Sequence, residues 1–349
     1  MTAHWQTLLR NGVRNPKELA AHLSVPVSVT ASVTAVYPMR INTYFLDLIN
    51  EKGASISRQV VPDLRELQDT IGLEDPLAEE ENSPVPNLTH RYPDRVLFLV
   101  SSDCPIHCRF CTRKRKIGKI PQPGTRVLQE GIRYIRESRE VRDVLLSGGD
   151  PLMLSDERLE WILASIRSIR HVEIIRIGTR VPCALPQRVT AGLARLLKKY
   201  QPVYINIHFN HPDEITDVSR KACGRLADAG IPLGSQTVLL RGINDDAAVI
   251  LNLMKQLLAI RVRPYYLLQA DLTRGTEHFR TPIETGLRIM RNLRGFVSGL
   301  AVPTFVVDLP GGGGKVPLYP GYLQHVEGKE AVFKNYLDRE YRYPEPVVL

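Results

Sequence analysis

Between residues 96 and 307 the chain repeats one pattern: a short apolar run rich in β-branched residues, then a longer stretch with leucine and isoleucine at three- to four-residue spacing. The apolar runs fall at 96–100, 144–146, 172–177, 203–207, 236–240, 264–268 and 302–307. Helical text such as LEWILASI (159–166) and AAVILNLMKQLL (247–258) lies between most of them. Continuous apolar runs mark strands buried on both faces, and alternation with helices implies a parallel sheet. Six or so units predict an α/β fold, a partial (open) TIM-type (β/α)6 barrel, in place of the closed eightfold form. Parallel sheets build their sites at the C-terminal ends of the strands, and this chain's polar and glycine motifs cluster just after the apolar runs.

The flanks read differently. Residues 1 to about 70 carry helical spacing, as in PKELAAHL (16–23) and VPDLRELQ (61–68). Residues 75–94 (DPLAEEENSPVPNLTHRYPD) read as an ordered connector rich in proline and acid. The expected organisation is an N-terminal helical region with its connector (1–95), the partial barrel (96–310), and a glycine-rich loop with a short C-terminal segment (311–349). The start lacks the apolar stretch of a signal peptide and no run approaches the roughly 20 apolar residues of a membrane span, so a cytoplasmic, membrane-free protein is expected. The formal charge of +9 raises nucleic acid as a partner. However, the densest basic run, RFCTRKRKIGK (109–119), overlaps a cysteine cluster and lacks interleaved aromatics, so no nucleic-acid role is expected.

Three of the five cysteines stand at Cys104-x3-Cys108-x2-Cys111. Three thiolates this close can hold three irons of a [4Fe–4S] cluster and leave the fourth open to an exogenous ligand. A zinc knuckle is the alternative, but zinc wants a fourth protein ligand and only His107 is near. Cys183 and Cys223 read as small buried residues. Ser147-Gly148-Gly149-Asp150 follows the second run; alone it reads as a turn, although its glycines admit close backbone approach and its acid can accept from an ammonium. At the far end, Asp308-Leu-Pro-Gly-Gly-Gly-Gly-Lys315 places a lysine behind four glycines, where it can hold an aldehyde cofactor as a Schiff base.

The cysteine spacing, with Phe110 before the last cysteine, resembles the radical S-adenosylmethionine superfamily. The strings LTHRYPDRV (88–96), CRFCTRKRKIG (108–118), RPYYLLQADL (263–272) and VPTFVVDLPGGGGKVPL (302–318) resemble the lysine 2,3-aminomutase family, over about residues 5–346. The resemblance implies a [4Fe–4S] cluster on Cys104, Cys108 and Cys111, with S-adenosylmethionine on the open iron. It implies contacts to the methionine amine from Ser147, Gly148, Gly149 and Asp150, and to S-adenosylmethionine or the neighbouring cofactor from His208 and Gln236. Lys315 would carry pyridoxal 5′-phosphate, with Arg91 and Arg95 near its phosphate; either arginine could instead pair with Asp94. Arg113 would grip the substrate carboxylate, Asp75 would lie near the α-amino end, and Asp271 and Asp308 would hold the ε-ammonium of lysine.

The implied reaction moves the amino group between C2 and C3, a 5′-deoxyadenosyl radical removing and returning hydrogen at carbon while pyridoxal holds the nitrogen. L-Lysine and β-lysine (3,6-diaminohexanoate) are thus the expected pair. Leu268, where a lysine enzyme of the family carries an aromatic, keeps arginine 2,3-aminomutation open. A lysine aminomutase serving translation-factor modification and a catalytically idle relative are the other readings. An electron donor such as flavodoxin or ferredoxin is implied, and a homo-oligomer is possible. Family members often continue past the segment resembling 340–346 into a cysteine-bearing, zinc-binding tail, and Asp246 stands where a tail-pairing cysteine would be sought, so no zinc is expected.

Overall fold

The computed structural model describes residues 4–328 and 330–344; positions 345 and 346 of the tail segment lie outside the described residues. A nine-stranded sheet runs in sequence order from β1 (Leu88–Tyr92) through β2 (Arg95–Ser101), β3 (Asp143–Gly148), β4 (Ile174–Thr179), β5 (Val203–Ile207), β6 (Leu233–Leu239), β7 (Arg263–Gln269) and β8 (Thr304–Leu309) to β9 (Gly314–Pro317). Strands β2 to β8 are parallel. The two edge strands are antiparallel to their neighbours and do not pair with each other, so the barrel is open.

Five helices precede the sheet: α1 (His4–Arg10), α2 (Pro16–His22), α3 (Val27–Val36), α4 (Thr43–Lys52) and α5 (Ala54–Ser57). The crossovers are α6 (Thr125–Glu137), α7 (Asp156–Arg167), α8 (Val181–Ala184) with α9 (Ala191–Lys198), α10 (Asp217–Asp228), α11 (Ala247–Ala259) and α12 (Ile283–Leu293). Polar side chains cap several of them. Ser155, Thr190, Thr216 and Asp246 each accept a backbone N–H in the first turn of α7, α9, α10 and α11. Asp246, the position where a tail-pairing cysteine was sought, is therefore a helix cap. Six strand–helix units followed by a seventh parallel strand give the expected partial (β/α)6 barrel.

All seven expected strands are present, and β5 matches residue for residue. The helical reading of 61–68 is corrected: only a 3-10 turn, Leu64–Leu67, forms there. Pro62 withholds an N–H, and the Asp63–Glu66 capping box closes the turn with bonds of 2.9 Å in each direction. One continuous core joins Phe45, Leu46 and Ile49 of α4 to the barrel, so the N-terminal helices are packed against the sheet. A separate antiparallel sheet, β10 (Leu323–Glu327), β11 (Glu330–Lys334) and β12 (Glu340–Pro344), follows, and within it only Ala331 and Val332 are buried. Among the described residues no helix is long and apolar enough to cross a membrane.

Candidate active site

The cysteine loop leaves β2 at the C-terminal end of the sheet, and the N-terminal helical region suspends it. Asn42 donates to the Pro105 carbonyl at 3.1 Å, Arg40 donates to the Cys104 carbonyl at 3.0 Å and pairs with Asp103, and the N–H of Arg109 donates to the Gln59 carbonyl at 2.8 Å. Beneath the loop the fully buried Glu66 takes the Arg109 guanidinium at 2.5–3.1 Å and the Lys114 ammonium at 2.6 Å. Burial lowers the basicity of Lys114 to about 8.

The three thiols are half-buried and none is in a disulfide. Burial first, and then the neighbouring thiolates, raise Cys104 and push Cys111 up to about 11. Positive charge beside Cys104 and Cys111 favours their thiolates, and an iron–sulfur cluster supplies it. His107 Nδ1 is 3.1 Å from the Pro38 carbonyl, and burial lowers the ring to about 4, so it is neutral. Among the described residues no three His, Cys, Asp or Glu side chains converge on a single ion. Cubane geometry instead takes one thiolate per iron.

The Ser147–Asp150 turn is strapped to the start of that loop. Gly149 N–H donates to Ser101 O at 2.6 Å and Asp150 N–H to Asp103 O at 2.7 Å. Gly148 sits at φ +118°, and a Cβ there would stand 2.1 Å from Ser101 O; one on Gly149 would stand 2.4 Å from Asp103 O. The glycines are thus required by backbone meeting backbone. The Asp150 carboxylate accepts from Thr179 Oγ1 at 2.7 and 2.9 Å and from the N–H groups of Arg180, Leu152 and Val181 at 2.7, 3.0 and 3.2 Å. Burial raises it to about 6. Both its oxygens therefore serve the protein.

His208 follows β5 with its ring 6.4 Å from that of Phe110, and burial lowers it to about 3, so it is neutral. Gln236 is half-buried on the β6 face shared with Gly234 and Val238.

The second centre forms where the two sheet edges approach. Asp308 of β8 and Lys315 of β9 face each other in the antiparallel register, and the Lys315 ammonium pairs with the Asp308 carboxylate. From β1, Arg91 Nη2 donates to both Asp308 oxygens at 3.1 and 3.4 Å, and the Tyr92 hydroxyl accepts the Lys315 N–H at 3.0 Å. These contacts bridge the open edges. Gly312 and Gly314 hold φ of +80° and +85°, which the turn into β9 needs. Asp271, just past β7, is raised to about 7 by burial first and by the Asp308 charge second, while Lys315 and Arg91 pull the other way. Asp271, Asp308, Lys315 and Arg91 thus form one electrostatic unit. Among the described residues the side-chain bonds of Arg91 all leave from Nη2.

The remaining expected residues are placed as follows. Arg95 pairs with Asp94 at 2.7 Å and lies 3.9 Å from the Tyr92 ring centroid. Arg113 makes a two-pronged contact with Glu79 at 2.6 and 3.0 Å, and its Nη1 reaches Ser147 Oγ at 3.3 Å. Asp75 lies 2.9 Å from Arg115 and accepts the Glu80 N–H at 2.9 Å. Glu79 escaped the sequence reading; its signal was an acidic connector facing a basic run.

Residues 98–254 match the family profile described as the Radical SAM superfamily, and residues 290–348 match the one described as Lysine-2,3-aminomutase. The L-lysine 2,3-aminomutase of Clostridium subterminale is 48% identical, over 98% of this chain and 84% of its own length. That of Methanococcus maripaludis is 51% identical over 89% of this chain and 73% of its own. The glutamate 2,3-aminomutase of Clostridioides difficile is 48% identical over 81% of this chain and 68% of its own. With such identity along nearly its whole length, and with the cysteine loop and the glycine-run lysine at one end of an open barrel, the chain belongs to the lysine 2,3-aminomutase family of the radical SAM superfamily.

Proposed function

We propose that the chain interconverts L-lysine and β-lysine. The enzyme is an isomerase, and its cofactors are a [4Fe–4S] cluster, S-adenosylmethionine and pyridoxal 5′-phosphate. When bound, these supply a hydrogen-abstracting radical and a conjugated holder for the migrating nitrogen. Relatives named for lysine reach 48–51% identity over 89–98% of this chain, against 48% over 81% for the one named for glutamate, so the comparisons favour lysine. The observation that carries the choice is the Asp271–Asp308 pair beside Lys315. Two carboxylates in a desolvated pocket cost several kcal/mol unless a cation lies with them, so the pair favours a distal ammonium. Lys315 and Arg91 together offset Asp308 here, and with the Lys315 nitrogen committed to a bound cofactor a substrate cation would supply the charge that Lys315 no longer brings.

The other residues divide the work. Cys104, Cys108 and Cys111 hold the cluster. Ser147, Gly148 and Gly149 offer backbone to the methionine moiety, with His208 and Gln236 flanking it. Asp150 shapes that turn from within. Arg91 takes the phosphate, with Arg95 at the rim. Arg113, steadied by Glu79 and by Nη1 contacts to Ser147 Oγ and the Gly148 carbonyl, takes the substrate carboxylate, with Asp75 near the α-amino end. A low-potential donor such as flavodoxin or ferredoxin supplies the electron.

Anaerobic reconstitution with L-lysine, followed by chiral mass spectrometry, tests the reading: 3,6-diaminohexanoate is expected, and its absence with a fully loaded enzyme refutes it. A pH profile checks the acid pair. Asp271 must be ionised to meet a cation and its carboxyl sits near 7, so kcat/KM for lysine rises through about pH 7. In Asp308→Asn the neighbouring charge is gone, so the rise moves to lower pH. A profile flat from pH 6 to 8 in both proteins contradicts the assignment.

A further inference from the structure

Arg180, the residue after β4, is only 6% exposed, yet no step above uses it. Its Nη1 donates to Cys108 Sγ at 2.7 Å, and its Nη2 donates to Glu214 Oε1 at 2.7 Å and to Gln59 Oε1. Its Nε–H is buried with no acceptor at hydrogen-bond distance among the described residues, and the guanidinium also acts on the buried Cys183 thiol. Each anchor is itself fixed. Glu214, fully buried, accepts the N–H groups of Asn210 and His211 at 2.5 and 2.9 Å through its second oxygen. Gln59, also fully buried, donates its side-chain amide to Ser55 O at 2.9 Å, and its backbone carbonyl takes the Arg109 N–H inside the cysteine loop. The Arg180 backbone N–H is held by Asp150 at 2.7 Å, and its guanidinium lies 5.1 Å from the Phe110 ring. The strand end, the Ser147–Asp150 turn and the N-terminal region therefore converge to aim one guanidinium at one cluster ligand.

A thiol is a weak acceptor, whereas a thiolate is an anion that a guanidinium donor stabilises. Hydrogen bonds to ligand sulfurs and local charge are the levers by which proteins set cluster potentials. We propose that Arg180 is a positioning and redox-setting residue: its N–H···Sγ bond to Cys108 and its fixed charge stabilise the reduced cluster. The step concerned is the one-electron reduction of [4Fe–4S]²⁺ to [4Fe–4S]⁺ by a low-potential reductant, without bond making at Arg180. The inference rests on the reading that Cys104, Cys108 and Cys111 hold the cluster.

The test is a potentiometric titration with dithionite, followed by electron paramagnetic resonance, on reconstituted wild type, Arg180→Gln, Arg180→Lys and Glu214→Gln, with iron counted in each. In Arg180→Gln the reduced-to-oxidised ratio at the wild-type midpoint falls about tenfold, equivalent to about 59 mV for a one-electron couple. Arg180→Lys keeps the charge but not the fork and shifts less. Glu214→Gln leaves the guanidinium uncompensated and shifts the midpoint upward. Iron-loaded Arg180→Gln with the wild-type midpoint overturns the proposal. Should Arg180→Gln take up no iron, wild-type midpoints in both other variants overturn it equally. Wild type that binds zinc or no metal refutes the cluster reading itself, a result separable by the iron count alone.

Discussion

Lys315→Ala is expected to lose all borohydride-trappable pyridoxal and to lower turnover by about four or more powers of ten, over 5 kcal/mol of barrier, while keeping its iron and sulfide. The separation follows from the structure. Lys315 is positioned by the β8–β9 register, by Asp308 and by the Tyr92 hydroxyl. The cysteine loop hangs instead from Arg40, Asn42, Gln59 and Glu66. Removing one side chain from β9 touches none of those supports. Iron analysis, the absorption of the reduced pyridoxyl group and peptide mapping check it; a pyridoxyl group mapped to another lysine refutes the assignment.

Asp308→Asn should keep the cluster and still trap pyridoxal on Lys315, but lose about 3–5 kcal/mol in kcat/KM for lysine, the scale for removing one partner of a buried charge pair. Asp308 is 7% exposed and carries both Lys315 and Arg91. An amide in its place leaves the distal ammonium with Asp271 alone. A loss confined to less than about tenfold contradicts the role given to the pair.

The parallel strands were legible because burial on both faces writes an apolar run. The edge strands were not: β1 reads LTHRY and β9 reads GKVP, each with one side turned to side-chain chemistry or solvent, and neither carries such a run. Most of β10 and β12 is exposed, which leaves no apolar pattern to find. In the site, the cysteines and Lys315 are announced by local spacing. Arg180 is not, because its contact with Cys108 spans 72 positions and exists only once β4 lies beside the loop. Asp150 shows the converse limit. A motif names the residue, but the bonds to Thr179 and Arg180 are made by the fold, whereas the Arg95 pairing with its neighbour Asp94 was open to the sequence.

The most direct test of the account is kcat/KM for L-lysine, L-arginine and L-glutamate on one reconstituted preparation. The aspartate pair predicts lysine first and glutamate lower by about three powers of ten or more, since glutamate brings a third carboxylate to the pair without a cation. Arginine, whose guanidinium can also meet two carboxylates and for which Leu268 leaves width, is predicted to fall between them. A preference for arginine would leave the aminomutase chemistry standing and displace lysine as the substrate; a preference for glutamate would contradict the account of Asp271 and Asp308.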